Sequence, residues 1–316
     1  AEISFEGEPV TLGDPERLDV LREFDVSRIS FGLQTYDASL RQHFNINATL
    51  DDVARATRLA RERQFDEINV DMMYNLPGQT IKQLEQDIAR LIEDDFDSID
   101  YYNLHYFAFP KQFKEMMAGG KIPAKPSDGV MLALAEQLRV LLPRAGYANV
   151  ADQVYSKRSK VCEYFRLLWG GGDGRHDAET IAIGSSARGY VDGLCYMNHG
   201  NVNRYMEAIE QDQSALEKVS ARLQCQENRG AVFFSKFLRL DKQYQAAIDS
   251  IPPELFQSWI DNGYLYDAGD AWQLSERGKL WTNNITREAF EPGQLATSQA
   301  VLVNLVAKPG IRTGTF

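Results

Sequence analysis

Strand signals and helix signals alternate through the first hundred or so residues of this 316-residue chain, and that alternation limits its fold more than any other feature. "EISFE" (2–6) is apolar and β-prone. Asp14 then precedes Pro15 and a helical stretch to Phe24, with proline in the first turn, where its missing N–H costs nothing. "RISFGLQ" (28–34) is the second strand, followed by a helical stretch from Ala38 to Phe44. Thr49 with Asp52 resembles a capping box that opens a helix to about Arg63. "INVDMM" (68–73) is the third strand, and Thr80 with Gln83 is a second capping-box candidate for a helix to about Asp94. "SIDYYNLHYF" (98–107) is the fourth. Strands separated by helices predict an α/β fold, a parallel sheet with helices packed outside it. Such strands are buried on both faces, which predicts near-continuous apolar runs. Glu6, Gln34, Asp71 and either Asn103 or His105 break those runs, each near the C-terminal end of its strand. Parallel sheets and barrels place their sites at that end. One such residue reads equally well as a satisfied core group or a turn former. Four strands in succession point to a site.

After residue 107 the alternation stops. Ser127 to Gly146 reads as one long helix. Residues 147–200 read as irregular and glycine-rich, with "WGGGDG" (169–174) and "IAIGSSARGY" (181–190), and Asn201 to Gln211 looks helical. From 222 to 290 the pattern is three helices, then "YLYDAGDAWQLS" (264–275) with two short strands around Gly269, then a helix. This is a winged-helix-like pattern. The expected domains are 1–110, 111–221, 222–290 and a tail, 291–316, that carries no assignment.

Charge narrows the partners. With 34 basic and 45 acidic residues the formal charge is −11. That disfavours nucleic acid, where phosphate neutralisation supplies most of the affinity, and leaves the winged module a structural or lid role. No apolar run reaches the length of about 18 residues needed to span a membrane, and "AEISFEGEP" is unlike a signal peptide, so a cytoplasmic protein without membrane partners is expected. Cys162, Cys195 and Cys225 are too scattered for a disulfide framework or a zinc site and read as reduced thiols. His43, His105, His176 and His199 show no metal-binding spacing. "GSSARG" (184–189) could bring backbone N–H groups close to a ligand, or simply turn the chain for packing. It is neither a P-loop nor a complete GxGxxG, and no GxSxG elbow exists. "LPGQT" (76–80) alone marks only a turn before a helix.

Five segments in register carry a resemblance: "RISFGLQTYD" (28–37), "INVDMMYNLPGQT" (68–80), "IAIGSSARGYVDG" (181–193), "NRYMEAI" (203–209) and "WQLSERGKLWTNNI" (272–285). Over about residues 2–290 the sequence resembles the radical S-adenosylmethionine (SAM) enzymes related to oxygen-independent coproporphyrinogen III oxidase. The resemblance implies a partial (β/α)6 barrel, here strands three to six, followed by an α+β region that ends in the winged-helix-like module. It implies SAM and a [4Fe–4S] cluster as cofactors. By it, Asp71 would accept hydrogen bonds from the ribose hydroxyls, as the acid of a dinucleotide fold does. Glu6 would face the amino acid moiety and Gln34 would add a side-chain amide. Ser185, Ser186 and Arg188 would lie near a second SAM or the substrate.

Two departures stand out. The cluster motif CxxxCxxC is absent, and Cys162, Cys195 and Cys225 do not replace it in spacing or location. Three thiolates are needed to hold such a cluster with one iron left open. The chain is therefore expected to be an N-terminally truncated fragment, or one whose early part lies outside this sequence, and, as it stands, inactive. The family arginine twelve residues after Gln34, a ligand for the SAM carboxylate, is Ile46 here, with Arg41 nearby but offset.

Within the family, the stretch that carries HNxxYW in haem chaperones is "YFRLLW" (164–169) here. "YFAFPKQFKEMMAGGKIP" (106–123) and the "GGDG" insertion resemble the haem-utilisation branch. That likeness implies anaerobic haem degradation by a radical methyltransferase. One SAM would yield a 5′-deoxyadenosyl radical, and the methyl of a second would add to the porphyrin and open it. Haem would be the tetrapyrrole partner, with an electron donor such as flavodoxin or a reductase. Tyr102, His105, Tyr106 and Phe107, with Tyr101, could line a pocket for the flat ring, although strand aromatics also read as core. The alternatives are a non-catalytic haem-binding chaperone and a coproporphyrinogen III oxidase.

Overall fold

The computed structural model describes residues 2–106, 111–158, 162–163, 165, 179–191, 194–220, 233–243 and 245–289. Its contacts divide the chain into two compact units, one running to Val161 and the other spanning Cys162–Ala289.

The first unit follows the predicted alternation. Its strands are β1 (Ser4–Gly7), β2 (Arg28–Gln34), β3 (Glu67–Tyr74), β4 (Ser98–Asn103), β5 (Ala148–Ala151) and β6 (Val154–Ser156). Its helices are α1 (Pro9–Leu12), α2 (Pro15–Glu23), α3 (Ala38–His43), α4 (Leu50–Glu62), α5 (Ile81–Asp94), α6 (Lys111–Ala118) and α7 (Asp128–Arg144). The helix starts are chemically marked. Asp14, Asp37 and Ser127 each accept a backbone N–H of the first turn. Thr49 with Asp52, and Thr80 with Gln83, close complete capping boxes, each satisfying orphan amides in both directions.

The six strands form one sheet in the order β1-β2-β3-β4-β6-β5. The first four are parallel, and β6 and β5 add antiparallel at the β4 edge. Those two strands lie where an irregular region was expected. They are four and three residues long, too short to leave a pattern, and they cover the otherwise open β4 edge. β4 also ends earlier than expected, at Asn103 rather than residue 107. Past that point the amide of Leu104 donates to the Tyr74 carbonyl, and the chain leaves the sheet.

One face of the sheet carries Ile29, Phe31, Leu33, Val70, Met72, Ile99 and Tyr101, all buried against α4, α5 and α7 through residues such as Ala56, Leu84, Ile88, Leu91, Leu134 and Leu138. The opposite face is not apolar, so the expected continuous apolar runs do not occur. The strands alternate instead, apolar toward the helices and polar on the other side.

In the second unit, Arg188–Val191, Leu194–Asn198 and Leu216–Ser220 form an antiparallel sheet with the helix Val202–Glu210 after its second strand. Arg239–Asp241, Leu265–Asp267 and Ala271–Leu274 form another, around a core of Phe234, Leu240, Trp259, Leu274 and Ile285. The hairpin predicted around Gly269 is present. Arg239–Asp241, expected to be helical, is a third strand paired to it.

Candidate functional site

Strand register assembles the polar face. Glu6 pairs with Ser30, Ser30 with Asn69, Gly32 with Asp71, and Asp71 with Asp100. Arg28 pairs with Glu67, and Asn69 with Ser98. Side chains alternate along a strand, so all of these share one side of the sheet. They form a continuous network. The Arg28 Nε donates to Glu67 Oε1 at 3.1 Å, and its guanidinium lies 3.7 Å from Asp100 Oδ2. The Ser98 hydroxyl lies 2.6 Å from both Glu67 Oε1 and Asn69 Oδ1. Asn69 Nδ2 donates to Ser30 Oγ at 2.9 Å and Asp100 Oδ2 at 3.0 Å, with Asp71 Oδ1 at 3.4 Å.

Two carboxyls in this network are held above their ordinary range. Burial raises Asp100 first, and the neighbouring Asp71 raises it further, against the pull of Arg28 and Asn69. Burial raises Asp71 as well, with Glu6 adding to it while Arg28 and Ser30 oppose. Arg28 is the cation facing Glu67, Asp71 and Asp100, so the patch keeps excess negative charge. Asp100 Oδ1 is buried without a hydrogen-bond partner.

Gln34 enters this face by an unusual route. Its φ is +68°, and the Thr35 amide donates to the Leu33 carbonyl at 2.9 Å, closing a tight three-residue turn around it. The β2–β3 register slips between Gly32 and Gln34, a bulge of the kind that re-aims a side chain. The Gln34 amide folds back over Gly32, where a Cβ would lie 2.4 Å from Gln34 Nε2. Glycine at 32 therefore opens the space that the amide occupies. Among the described residues the Gln34 amide and the Glu6 carboxylate have no hydrogen-bond partner.

The structure thus brings Glu6, Gln34 and Asp71 together on adjacent strands. Tyr102 joins them, and its hydroxyl is raised by burial and by Asp100, Asp71 and Glu6. Tyr101 points the other way and is fully buried in the helix-side core. Tyr106 donates its hydroxyl to the Asn75 carbonyl at 2.6 Å and pins the loop after β3. Asn103 is likewise bound there, by Asn75 Nδ2 at 2.9 Å. His105 is exposed just past β4, and Phe107 lies outside the described residues. Ser185, Ser186 and Arg188 belong to the second unit. There the Ser185 hydroxyl donates to the His199 carbonyl at 3.0 Å, and the Gly184 and Ser186 amides donate to the Tyr205 hydroxyl and the His199 carbonyl. Arg41 is buried, its guanidinium spent on the Leu33, Thr35 and Ala48 carbonyls. Arg28, Ser30, Glu67, Asn69, Ser98 and Asp100 were not anticipated. The signal was the strict alternation in "RISFGLQ", "EINVDMM" and "SIDYY".

Comparison with known proteins bears on this arrangement. The sequence profile described as the Radical SAM superfamily matches residues 5–91. The chain is 25% identical to the heme chaperone HemW of Bacillus subtilis (strain 168) over 297 residues, 90% of this chain and 75% of that protein. It is 21% identical to the anaerobilin synthase of Escherichia coli O157:H7 over 307 residues, 95% of this chain and 66% of that protein. The solved structure of coproporphyrinogen III oxidase from Escherichia coli, described as a radical SAM enzyme, matches its fold with a TM-score of 0.71 at 22% identity, covering 92% of this chain and 69% of that one.

The superfamily implies SAM and a [4Fe–4S] cluster. The polar face fits the first. Glu6 and Asp71 offer carboxylate acceptors and Gln34 an uncommitted amide, a donor set suited to ribose hydroxyls and an amino acid end. The described residues do not fit the second. No group of three metal-ligating side chains occurs among them, and Cys162 is a buried free thiol. Cys225 lies outside the described residues, and Cys195 is on the second unit's sheet.

Proposed function

We propose, from the chain's likeness to the radical SAM proteins related to oxygen-independent coproporphyrinogen III oxidase, that it binds SAM on the polar face of its first sheet and acts on a tetrapyrrole, haem in the first instance. The observation that carries this is the meeting of Glu6, Gln34 and Asp71 on three adjacent strands, with Gly32 clearing room between them.

Bound SAM supplies an activated sulfonium to the protein. The chain's residues bind and orient it. Asp71, in mid-strand and partly buried, accepts the ribose hydroxyls. Glu6, at the exposed rim, meets the cationic end of the amino acid moiety. Gln34 offers a donor and an acceptor between them. Arg28 and Asn69 hold Asp100 and Asp71 in place from below. Because Asp71 is raised, protonation on mild acidification removes an acceptor, and affinity falls as pH falls. Tyr102 extends this face toward the substrate. Residues 1–110 are read as part of a (β/α)6 barrel wall, and 222–290 as a winged-helix-like appendage with a structural or lid role. Ser185, Ser186 and Arg188 are assigned to the substrate side.

The favoured reading is haem utilisation, in which the tetrapyrrole is consumed. Its support is the likeness to an anaerobilin synthase along nearly the whole chain. The likeness to a heme chaperone favours a second reading, in which haem is bound and handed on unchanged. Calorimetric titration with SAM tests the shared part. Asp71→Asn is expected to weaken binding about 10- to 100-fold, the worth of hydrogen bonds to a charged group. Unchanged affinity would remove the site. Haem titration followed by anaerobic incubation with SAM and a reductant, on a protein that carries the cluster cysteines upstream of this sequence, separates the two readings. Loss of the Soret band with a linear tetrapyrrole product supports consumption. Haem bound tightly and recovered intact supports the carrier.

A further inference from the structure

Gln34 sits in a backbone conformation that a residue with a side chain adopts at a cost, and such conformations persist only where the surroundings enforce them. Two buried charged groups do so from two different helices. From α3, the Arg41 Nη1 donates to the carbonyls on both flanks of Gln34, Leu33 at 2.7 Å and Thr35 at 2.8 Å. Its Nη2 donates to the Ala48 carbonyl, which anchors the guanidinium in the loop before α4. From α5, Asp87 accepts the Thr35 hydroxyl and the Tyr36 amide, both at 2.8 Å. Thr35 and Asp87 are 0% and 1% exposed, so water does not compete for these bonds. The turn is held by fixed partners from both helices, and its central side chain projects over Gly32 onto the polar face.

A planar, forked cation suits this task. It reaches two carbonyls two residues apart and a third carbonyl elsewhere in one rigid geometry, which an ammonium does not. Asp87 is the carboxylate that meets the turn at its main chain, through the Tyr36 amide, whereas Asp94 meets only the outlying Tyr36 hydroxyl. None of the six residues involved is among those that form the polar face.

We propose that Arg41 and Asp87 are positioning residues that clamp the Leu33–Tyr36 turn and so pre-organise the Gln34 amide for SAM. The inference rests on the reading that Gln34 contacts SAM. It gives Arg41 a different role from a carboxylate ligand: it acts through Gln34 and touches no part of the cofactor.

The test is a double-mutant cycle on the full chain, read as SAM affinity by calorimetry with thermal melting as the folding control. Gln34→Ala is expected to weaken binding about tenfold. Arg41→Met is expected to weaken it by a similar factor, since a displaced contact group loses its contribution. The double variant should bind no worse than Gln34→Ala alone. Arg41→Lys, which keeps the charge without the fork, and Asp87→Asn, which keeps the shape, should give smaller losses that also vanish in the Gln34→Ala background. They carry the test should Arg41→Met not fold. Unchanged affinity in Gln34→Ala would overturn the site reading itself. Weakened binding in Gln34→Ala with full affinity in the Arg41 and Asp87 variants would overturn the clamp alone. A loss that persists undiminished in the Gln34→Ala background would also overturn it, because it would make Arg41 a ligand or a general scaffold residue.

Discussion

The two faces of the first unit's sheet are made from alternate residues of the same four strands, yet they obey different rules. On one side Phe31, Leu33, Val70, Met72 and Tyr101 pack against three helices, and removal from water is their whole contribution. On the other, Arg28, Ser30, Glu67, Asn69, Ser98 and Asp100 are just as buried, but each stays there only because a neighbour meets its charge or hydrogen bond. The apolar face tolerates any well-packed substitute. The polar face tolerates only complementary ones, and among the described residues it ends in two groups without a hydrogen-bond partner, Glu6 and Gln34, beside the weakly engaged Asp71. A fold that needed only stability would gain by filling that side with hydrocarbon.

The comparison breaks most readily where the faces are said to differ in kind. Phe31→Ala removes a ring that meets Phe96 edge-on at 6.2 Å, and it should cost about 3–5 kcal/mol in denaturant unfolding while leaving SAM affinity per folded molecule unchanged. Arg28→Met strips the cation from Glu67 and Asp100, and it should cost a similar 3–5 kcal/mol despite the added apolar surface, because two buried carboxylates lose their partner. A neutral or stabilising result there would show that the polar face is no ionic network.

A smaller effect comes from Asp87, behind the turn. Burial pushes its carboxyl from the ordinary 3.8 up to about 6, against the Thr35 and Tyr36 hydrogen bonds. The folded chain therefore keeps a proton that the unfolded chain has released, so this group's contribution to stability falls as pH rises through that window. The advantage of wild type over Asp87→Asn should shrink by on the order of 2 kcal/mol between about pH 4 and 7, measured by urea unfolding at each pH. An advantage that grows with pH would reverse the sign. Smallest of all, Thr49→Ala opens one capping box and should cost about 1 kcal/mol without touching either face.

Much of the fold was legible because its punctuation is chemical. Asp14, Thr49 with Asp52, Thr80 with Gln83, and Ser127 each mark a helix start by side-chain bonding that depends on local sequence alone. β5 and β6 were not legible, since their pairing with β4 is a long-range event between very short segments. At the site, Glu6, Gln34 and Asp71 stood out as polar interruptions, but an expectation of apolar strands hid the fact that every second residue was polar. "RISFGLQ" and "EINVDMM" carry that period plainly. The positive φ of Gln34 and the inward turn of Arg41 leave no local mark, because both depend on groups brought in from α5 and from Ala48.

The most direct measurement is a crystal structure of the chain with S-adenosylhomocysteine, which keeps the ribose and the amino acid end of SAM. The account predicts the ligand on the polar face, its ribose hydroxyls on the Asp71 carboxylate and the Gln34 amide in contact with it. A ligand held elsewhere, with Asp71 and Gln34 untouched, would contradict it.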